Sequence, residues 1–384
     1  MRVVVDIQAG VAQRAGVGRY TKALAQHLGP LAGSDELGLF YFDFQRKGDP
    51  FPVEGARRKA IRWCPGRVAQ KAWKTVYWPP FDWFAGRADI YHFPNFIRPP
   101  LSRGKSVVTI HDIAFLRYPD TIEERNLRYL TAQIRRTLAH TDAVITVSQF
   151  TAHELQELLG TPREKIFAIH NGLTDDMKRP DPAAVAAVRK QFGLTRPYLL
   201  TVGTIEPRKN IEFLVRVFEE LKSFDGDLVI AGRRGWKYEP ILQRVHSSIR
   251  AARIRHIEAF GEEQLPALYA GAEVFLFPSM YEGFGFPPLE AMACGTPVAA
   301  ARAASMPEIL GEAADLVEDF DAGLWGFVVS KILGDRARRT ELVAKGLARA
   351  QRFTWEEAAR RTWEVYRTTA SGCPALGTWH SSLT

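Results

Sequence analysis

The sequence predicts an α/β protein made of two parallel-sheet domains in succession. Three observations lead there. Short runs rich in Val, Ile and aromatic residues alternate with stretches of helical spacing through the first half of the chain. A polar stretch with two prolines, Asp175 to Pro182 (DDMKRPDP), interrupts them. The alternation then restarts and continues to Ala300.

Val3-Val4-Val5 is too apolar for a half-exposed strand and suits one covered on both faces. Gly16 to Leu28 reads as a helix opened by glycines. Leu37 to Phe42, Asp89 to Phe93, Val107 to Ile110 and Ala143 to Val147 are further strands, with a helix over Glu123 to Leu138. Pro and Asp in 175–182 mark the boundary between domains, placed at 178/179. Beyond it come strand Tyr198 to Val202, helix Asn210 to Lys222, strand Asp227 to Ala231 and helix Ile241 to Arg253. Strand Val274 to Phe277, helix Gly283 to Cys294 and strand Pro297 to Ala300 follow. The tail from Ser371 lacks charge and periodicity and is expected to fray.

Of 384 residues, 46% are apolar and 24% charged, which excludes intrinsic disorder for the bulk of the chain. No run of about 18 apolar residues reads as a transmembrane helix. Asp6 breaks the apolar run a secretory leader would need, and the three cysteines (Cys64, Cys294, Cys373) form no disulfide or metal spacing. A cytoplasmic protein is the expectation. The net charge of +8 admits nucleic acid, an anionic membrane or phosphorylated ligands without choosing among them.

The most informative segment is Phe275 to Val298, FLFPSMYEGFGFPPLEAMACGTPV. A strand, a glycine turn and a helix N-terminus form an anion site, because backbone N–H groups and the helix dipole converge there. Glu282 precedes the helix and Glu290 lies within it, seven residues between them. Carboxylates beside a phosphate site suit the hydroxyls of ribose or a sugar. The alternative is a packing turn with solvated acids. Arg208 and Lys209 follow a strand and precede a helix, a position that faces the ligand crevice in open parallel sheets. Two cations there suit an anionic ligand, although most Arg-Lys pairs are solvated. Gly16-Val17-Gly18 is not a dinucleotide fingerprint, since Thr21 stands where a third glycine belongs. Asp225-Gly226-Asp227 lies at a strand's amino end and reads as a turn, so no metal and no other cofactor is predicted.

These motifs, in this order, resemble the family 4 glycosyltransferases, retaining enzymes of GT-B fold. The resemblance rests on the paired glutamates and on Gly203 to Asn210 (GTIEPRKN), Gly261 to Ala272, Ser305 to Glu308 and Phe353 to Glu356. In the first half it rests on Gly16 to Tyr20, Thr109 to Asp112, Val147-Ser148 and His170-Asn171-Gly172, the last read as mainly a structural turn. It implies two Rossmann-like domains facing across a cleft. It also implies a C-terminal helix returning to the first domain, giving domains of 1–178 (with 363–384) and 179–362. Glu282 would hold donor-sugar hydroxyls and Glu290 the ribose. Gly283, Phe284, Gly285 and Phe286 would supply backbone donors. Arg208 and Lys209 would hold the diphosphate, and Gly16 and Gly18 would close on it. His111 would contact sugar on the acceptor side, and contacts near Phe260 would choose the base. Many members carry an arginine directly after Gly203, where this chain has Thr204, so Arg208 is expected to take that role.

From Arg57 to Lys74 the chain has seven basic residues and no acid, and Trp63, Trp73, Tyr77, Trp78, Trp83 and Phe84 lie among or just after them. That pattern suits an anionic membrane surface, with a packed, solvated loop as the alternative. The resemblance favours the membrane over nucleic acid. The expected function is transfer of a hexose, best matched by mannose from GDP-mannose, to a saccharide or lipid-linked saccharide at the inner face of the membrane. A sugar-nucleotide epimerase of the same fold and a non-catalytic nucleotide-sugar binder are the alternatives.

Overall fold

The computed structural model describes residues 1–12, 16–48 and 50–372. Two units result: Met1–Gly172 with the chain from Thr354 onward, and Leu173–Phe353.

The first unit holds seven parallel strands: β1 (Arg2–Asp6), β2 (Glu36–Phe42), β3 (Arg57–Ile61), β4 (Ile90–Phe93), β5 (Lys105–Ile110), β6 (Ala143–Thr146) and β7 (Ile166–Ala168). Their order is 3-2-1-4-5-6-7, so the winding reverses between β1 and β4. Val3, Val4 and Val5 pair with Leu37, Gly38 and Leu39 on one side and with Ile90, Tyr91 and His92 on the other. Helices cover both faces of such a sheet, which is why its strands read as apolar runs. β3 was not expected as a strand. Arg57, Arg58 and Lys59 look like a solvated charge run, yet they form the sheet's edge, where charge discourages pairing with another chain.

Helix α1 (Val17–Leu28) buries Tyr20, Ala23, Leu24 and Leu28. α2 (Gly66–Thr75) buries Ala69 and Trp73 one turn apart, and α3 (Phe81–Ala85) buries Phe81 and Phe84. Trp73 therefore belongs to the core, its indole donating to Pro79 O at 2.8 Å. Trp63, Trp78 and Trp83 stay exposed.

The C-terminal helix (Trp355–Ser371) completes this unit. Thr354 caps it, Trp355 meets the Tyr20 ring edge-on at 5.6 Å, and Lys105 Nζ donates to Thr369 O at 2.8 Å. The Tyr366 hydroxyl bonds His92 Nδ1 at 2.5 Å, His92 Nε2 bonds Thr109 Oγ1 at 2.9 Å, and Thr109 bonds the Tyr20 hydroxyl at 3.0 Å. Burial, reinforced by His111, lowers the His92 pKa to about 3, so its ring is neutral at pH 7.

The second unit repeats the plan with β8 (Tyr198–Val202), β9 (Asp227–Ala231), β10 (Ile254–Ile257), β11 (Val274–Phe277), β12 (Val298–Ala301) and β13 (Asp315–Val317). The order is 10-9-8-11-12-13, with the reversal between β8 and β11. Helix α4 (Ile211–Glu220) buries Phe213, Leu214, Val217 and Phe218. Asp225 pairs with Arg196 and Arg253 at the amino end of β9, and buried Asp227 faces Arg253 and Arg255. Among the described residues no group of three or more His, Cys, Asp or Glu could hold a metal ion.

The chain passes between units at 172/173 and 353/354, earlier than the 178/179 and 362/363 expected. The prolines near 180 serve instead to start a helix, Pro182–Gln191, capped by Asp181. At the crossing the two passes of the chain run close together: Leu173 N–H donates to Phe353 O at 2.9 Å, and a Cβ on Gly172 would meet Trp355 N at 2.2 Å. At the second crossing the break falls at the cap of one continuous helix rather than inside it. Of the tail expected to fray, residues 373–384, with Cys373, lie outside the described residues.

Candidate active site

Two loops at the carboxyl ends of neighbouring central strands carry the charged residues. After β8 the chain makes a 3-10 turn, Pro207–Lys209, closed by Asn210 at φ 56°. After β11 it runs through Ser279 to Gly285 and enters helix α5 (Phe286–Ala293). In an open parallel sheet the crevice for ligands opens where the winding reverses, and here that is between these two strands. The loops are stitched together by Met280 N–H, which donates to Arg208 O at 2.9 Å.

Arg208 Nη1 lies 3.0 Å from Glu282 Oε2 and donates to Tyr281 O at 2.6 Å, while Nη2 donates to Glu206 Oε1 at 2.7 Å. Lys209 Nζ is ion-paired to Glu282 Oε1, which also accepts from Ser279 Oγ at 2.6 Å. Side-chain exposure is 15% for Arg208, 13% for Lys209 and 12% for Glu282, so the group is set into the surface rather than solvated. Burial alone would raise the Glu282 pKa, but the two cations beside it bring it down to about 2. Glu206, 2% exposed, is pushed up by burial against the pull of the same cations.

Gly285 stands at φ 92°, a conformation natural to glycine, and its would-be Cβ would lie 2.4 Å from Met306 Cε. Helix α5 opens Phe286-Pro287-Pro288, and two prolines there remove two of the helix's first N–H donors. The backbone N–H groups left at this turn are those of Gly283 to Phe286. Ser305 Oγ braces this turn at Glu282 O (2.9 Å) and Phe284 O (3.2 Å). Four residues into the helix, Glu290 is 1% exposed and accepts from the Tyr269 hydroxyl at 2.8 Å. Phe260 follows β10, and Gly261 N–H donates to Gln264 Oε1 at 2.9 Å.

Thr204 packs beneath the next loop, a Cβ on Gly235 falling 2.6 Å from its methyl. Arg208 brings a guanidinium beside Glu282. Sequence reading left Glu206, Ser279 and Tyr269 without roles. Glu206 sits inside the quoted motif, but its burial against Arg208 cannot be read from the motif.

In the first unit His111 follows β5. Its Nε2 lies 3.0 Å from Pro94 O, which fixes the proton on that nitrogen and leaves Nδ1 as an acceptor. Burial lowers its pKa, and the Tyr20 ring meets it edge-on at 4.6 Å. Gly16, at φ 55°, caps α1, and Gly18 is buried in that helix's first turn.

Residues 14–176 match the family described as Glycosyltransferase Family 4, and residues 186–348 match Glycosyl transferases group 1. The O-antigen chain mannosyltransferase B of Escherichia coli is 30% identical over 370 residues, covering 92% of this chain and 96% of that protein. Among solved structures, sucrose-phosphate synthase from Thermosynechococcus elongatus superposes with a TM-score of 0.75 at 22% identity, covering 97% of this chain and 99% of that one. Anabaena HepE in complex with UDP-glucose gives 0.70 at 19% identity, covering 96% of this chain and 100% of that one. Both likenesses establish the GT-B fold.

Proposed function

Because the chain belongs to the family 4 glycosyltransferases, we propose that it moves mannose from GDP-mannose to a saccharide acceptor with retention of anomeric configuration. The observation that carries this is the meeting of Arg208, Lys209 and Glu282 at the point where the second sheet reverses its winding. The choice of mannose is supported by the E. coli mannosyltransferase that the chain resembles along nearly its whole length.

The diphosphate lies on the backbone of Gly283 to Phe286 with Arg208 and Lys209 against it, and Glu290 takes the ribose. As the glycosidic bond to the diphosphate breaks, charge grows on the leaving oxygen, and preset cations stabilise it without reorganising. Glu282 holds donor-sugar hydroxyls. Both of its oxygens already serve Lys209, Ser279 and Arg208, an arrangement suited to binding rather than to attack on the sugar. The acceptor hydroxyl then enters on the face the diphosphate leaves and passes its proton to a leaving phosphate oxygen. His111, with Nδ1 as acceptor, is read as a sugar contact. The test is GDP release from GDP-mannose with mannosides as acceptors, with the product's anomeric linkage read by NMR. Retained configuration and an acceptor requirement support the reading. Release without any acceptor requirement, or an inverted product, overturns it.

The acceptor is lipid-linked in this reading, and the first unit meets an anionic leaflet. Trp63, Trp78 and Trp83 are 71%, 57% and 62% exposed, and they adjoin through Trp63 stacked on Phe84 and Trp78 edge-on to Trp83. Arg67 and Lys71 line the exposed face of α2. Among the described residues no helix is long and apolar enough to cross a membrane. Each basic residue near an anionic surface adds about 1 kcal/mol. Binding to phosphatidylglycerol-containing vesicles that vanishes in high salt and in a Trp63→Ala/Trp83→Ala variant supports attachment. Equal partitioning of wild type and variant removes it.

A further inference from the structure

Glu206 has no place in the scheme above, yet it is far more deeply buried than the Arg208, Lys209 and Glu282 it stands among. Its carboxylate is 2% exposed and ion-paired to Arg208 at 2.7 Å. Its backbone is extended, and its carbonyl accepts Lys209 N–H at 3.1 Å, so it also closes the turn that carries both cations. A buried ion pair is seldom a net source of stability, because desolvation offsets most of the attraction. What it does supply is direction: a carboxylate fixes the plane of a guanidinium fork.

The anchors of Arg208 include Glu206, Tyr281 O and Glu282. They differ in permanence. Glu282, 12% exposed, is the anchor that the proposed function also assigns to the donor-sugar hydroxyls. With Glu282 so engaged, the Nη1 that lies 3.0 Å from its Oε2 is left to a phosphate oxygen. Glu206 has no such alternative duty, and its burial keeps water from competing for the pair.

We propose that Glu206 is the positioning residue that holds Arg208 on the leaving diphosphate after Glu282 has been drawn to the donor sugar. This rests on the leaving-group role given to Arg208 above. In this scheme the Glu206 carboxylate acts through Arg208 and not on the substrate itself. Its loss should therefore slow turnover while leaving donor affinity nearly intact.

The test is steady-state release of nucleoside diphosphate, using whichever of GDP-mannose, UDP-glucose and UDP-N-acetylglucosamine the full-length wild type turns over. Glu206→Gln, nearly isosteric, is expected to lower kcat by about 10- to 100-fold with donor KM within about threefold. In the Glu206→Gln/Arg208→Ala double variant the kcat should equal that of Arg208→Ala alone within about twofold, since both remove one device. A Glu206→Gln kcat within about twofold of wild type overturns the proposal, and so do losses that multiply in the double variant. If Glu206→Gln loses its cooperative thermal transition, Glu206→Asp takes its place with the same criteria. Wild-type turnover in Arg208→Ala would instead sink the leaving-group role. Impaired Arg208→Ala beside normal Glu206→Gln would sink the positioning role alone.

Discussion

Replacing Lys209 with Ala puts the leaving-group argument to its most direct test. The ammonium is 13% exposed and sits over the Phe277 ring at 5.3 Å, so it acts in a medium less polar than water. Two unit charges about 4 Å apart at an effective dielectric of about 20 interact by about 4 kcal/mol. Only part of a unit charge develops on the leaving oxygen in the transition state, and Arg208 stays in place. A loss of about 2.7 kcal/mol, or a hundredfold in kcat, is the working magnitude. The fold should survive, because Glu282 keeps Arg208 at 3.0 Å and Ser279 at 2.6 Å. A stability loss of about 1–2 kcal/mol would shift Tm by only about 2–8 °C. The assay is initial-rate nucleoside diphosphate release at saturating donor, with a thermal melt of the same preparation. A folded variant with near wild-type kcat would refute the reasoning.

Other perturbations separate the parts of the site. Glu282 is ionised down to about pH 2 in the folded protein, against 4.5 for an ordinary glutamate, with Arg208 and Lys209 against it and Glu206 paired to the same Arg208. Its lowered pKa contributes stability above about pH 4.5 that is lost as pH falls toward 2, about 3 kcal/mol in all. The advantage of wild type over Glu282→Gln in denaturant melts should therefore shrink between about pH 5 and pH 2, and a constant difference would contradict it. Tyr269→Phe takes a donor from buried Glu290 and should cost about 1–3 kcal/mol, with weaker nucleotide binding in calorimetry; unchanged binding would release Glu290 from the ribose role. Excess chelator should leave turnover intact, and activity lost to chelator but restored by manganese would return attention to Asp225 and Asp227.

Much of the architecture was legible because a parallel sheet covered on both faces forces its strands to be apolar throughout. Val3 to Val5, Leu199-Leu200 and Phe275 to Phe277 declare themselves in that way. The strands that escaped are short or at edges. Arg57 to Lys59 hide a strand behind charge, and Ile166–Ala168 and Asp315–Val317 are three residues long. The prolines near 180 draw the eye as a domain boundary because prolines break helices, whereas the crossing follows Asn171-Gly172, whose closeness to the returning chain only the fold reveals. At the site, Arg208, Lys209 and Glu282 could be singled out from their positions after strands. Glu206, Ser279 and Tyr269 could not, since their roles come from what surrounds them and not from spacing.

The C-terminal helix has a consequence for how the protein is made. Its residues lie about 180 positions beyond the rest of the first unit, after the whole second unit. At about 5–20 residues per second, a ribosome takes roughly 10–40 s to cover that distance. Throughout that interval the nascent first unit lacks Trp355 against Tyr20 and Tyr366 against His92, so a polar chain meant for a sealed interior faces water. The second unit, whose sequence is continuous, finishes its core before the first one can. The half of the molecule that is synthesised first is thus the last to close, and a chain cut short before residue 355 would leave it permanently open.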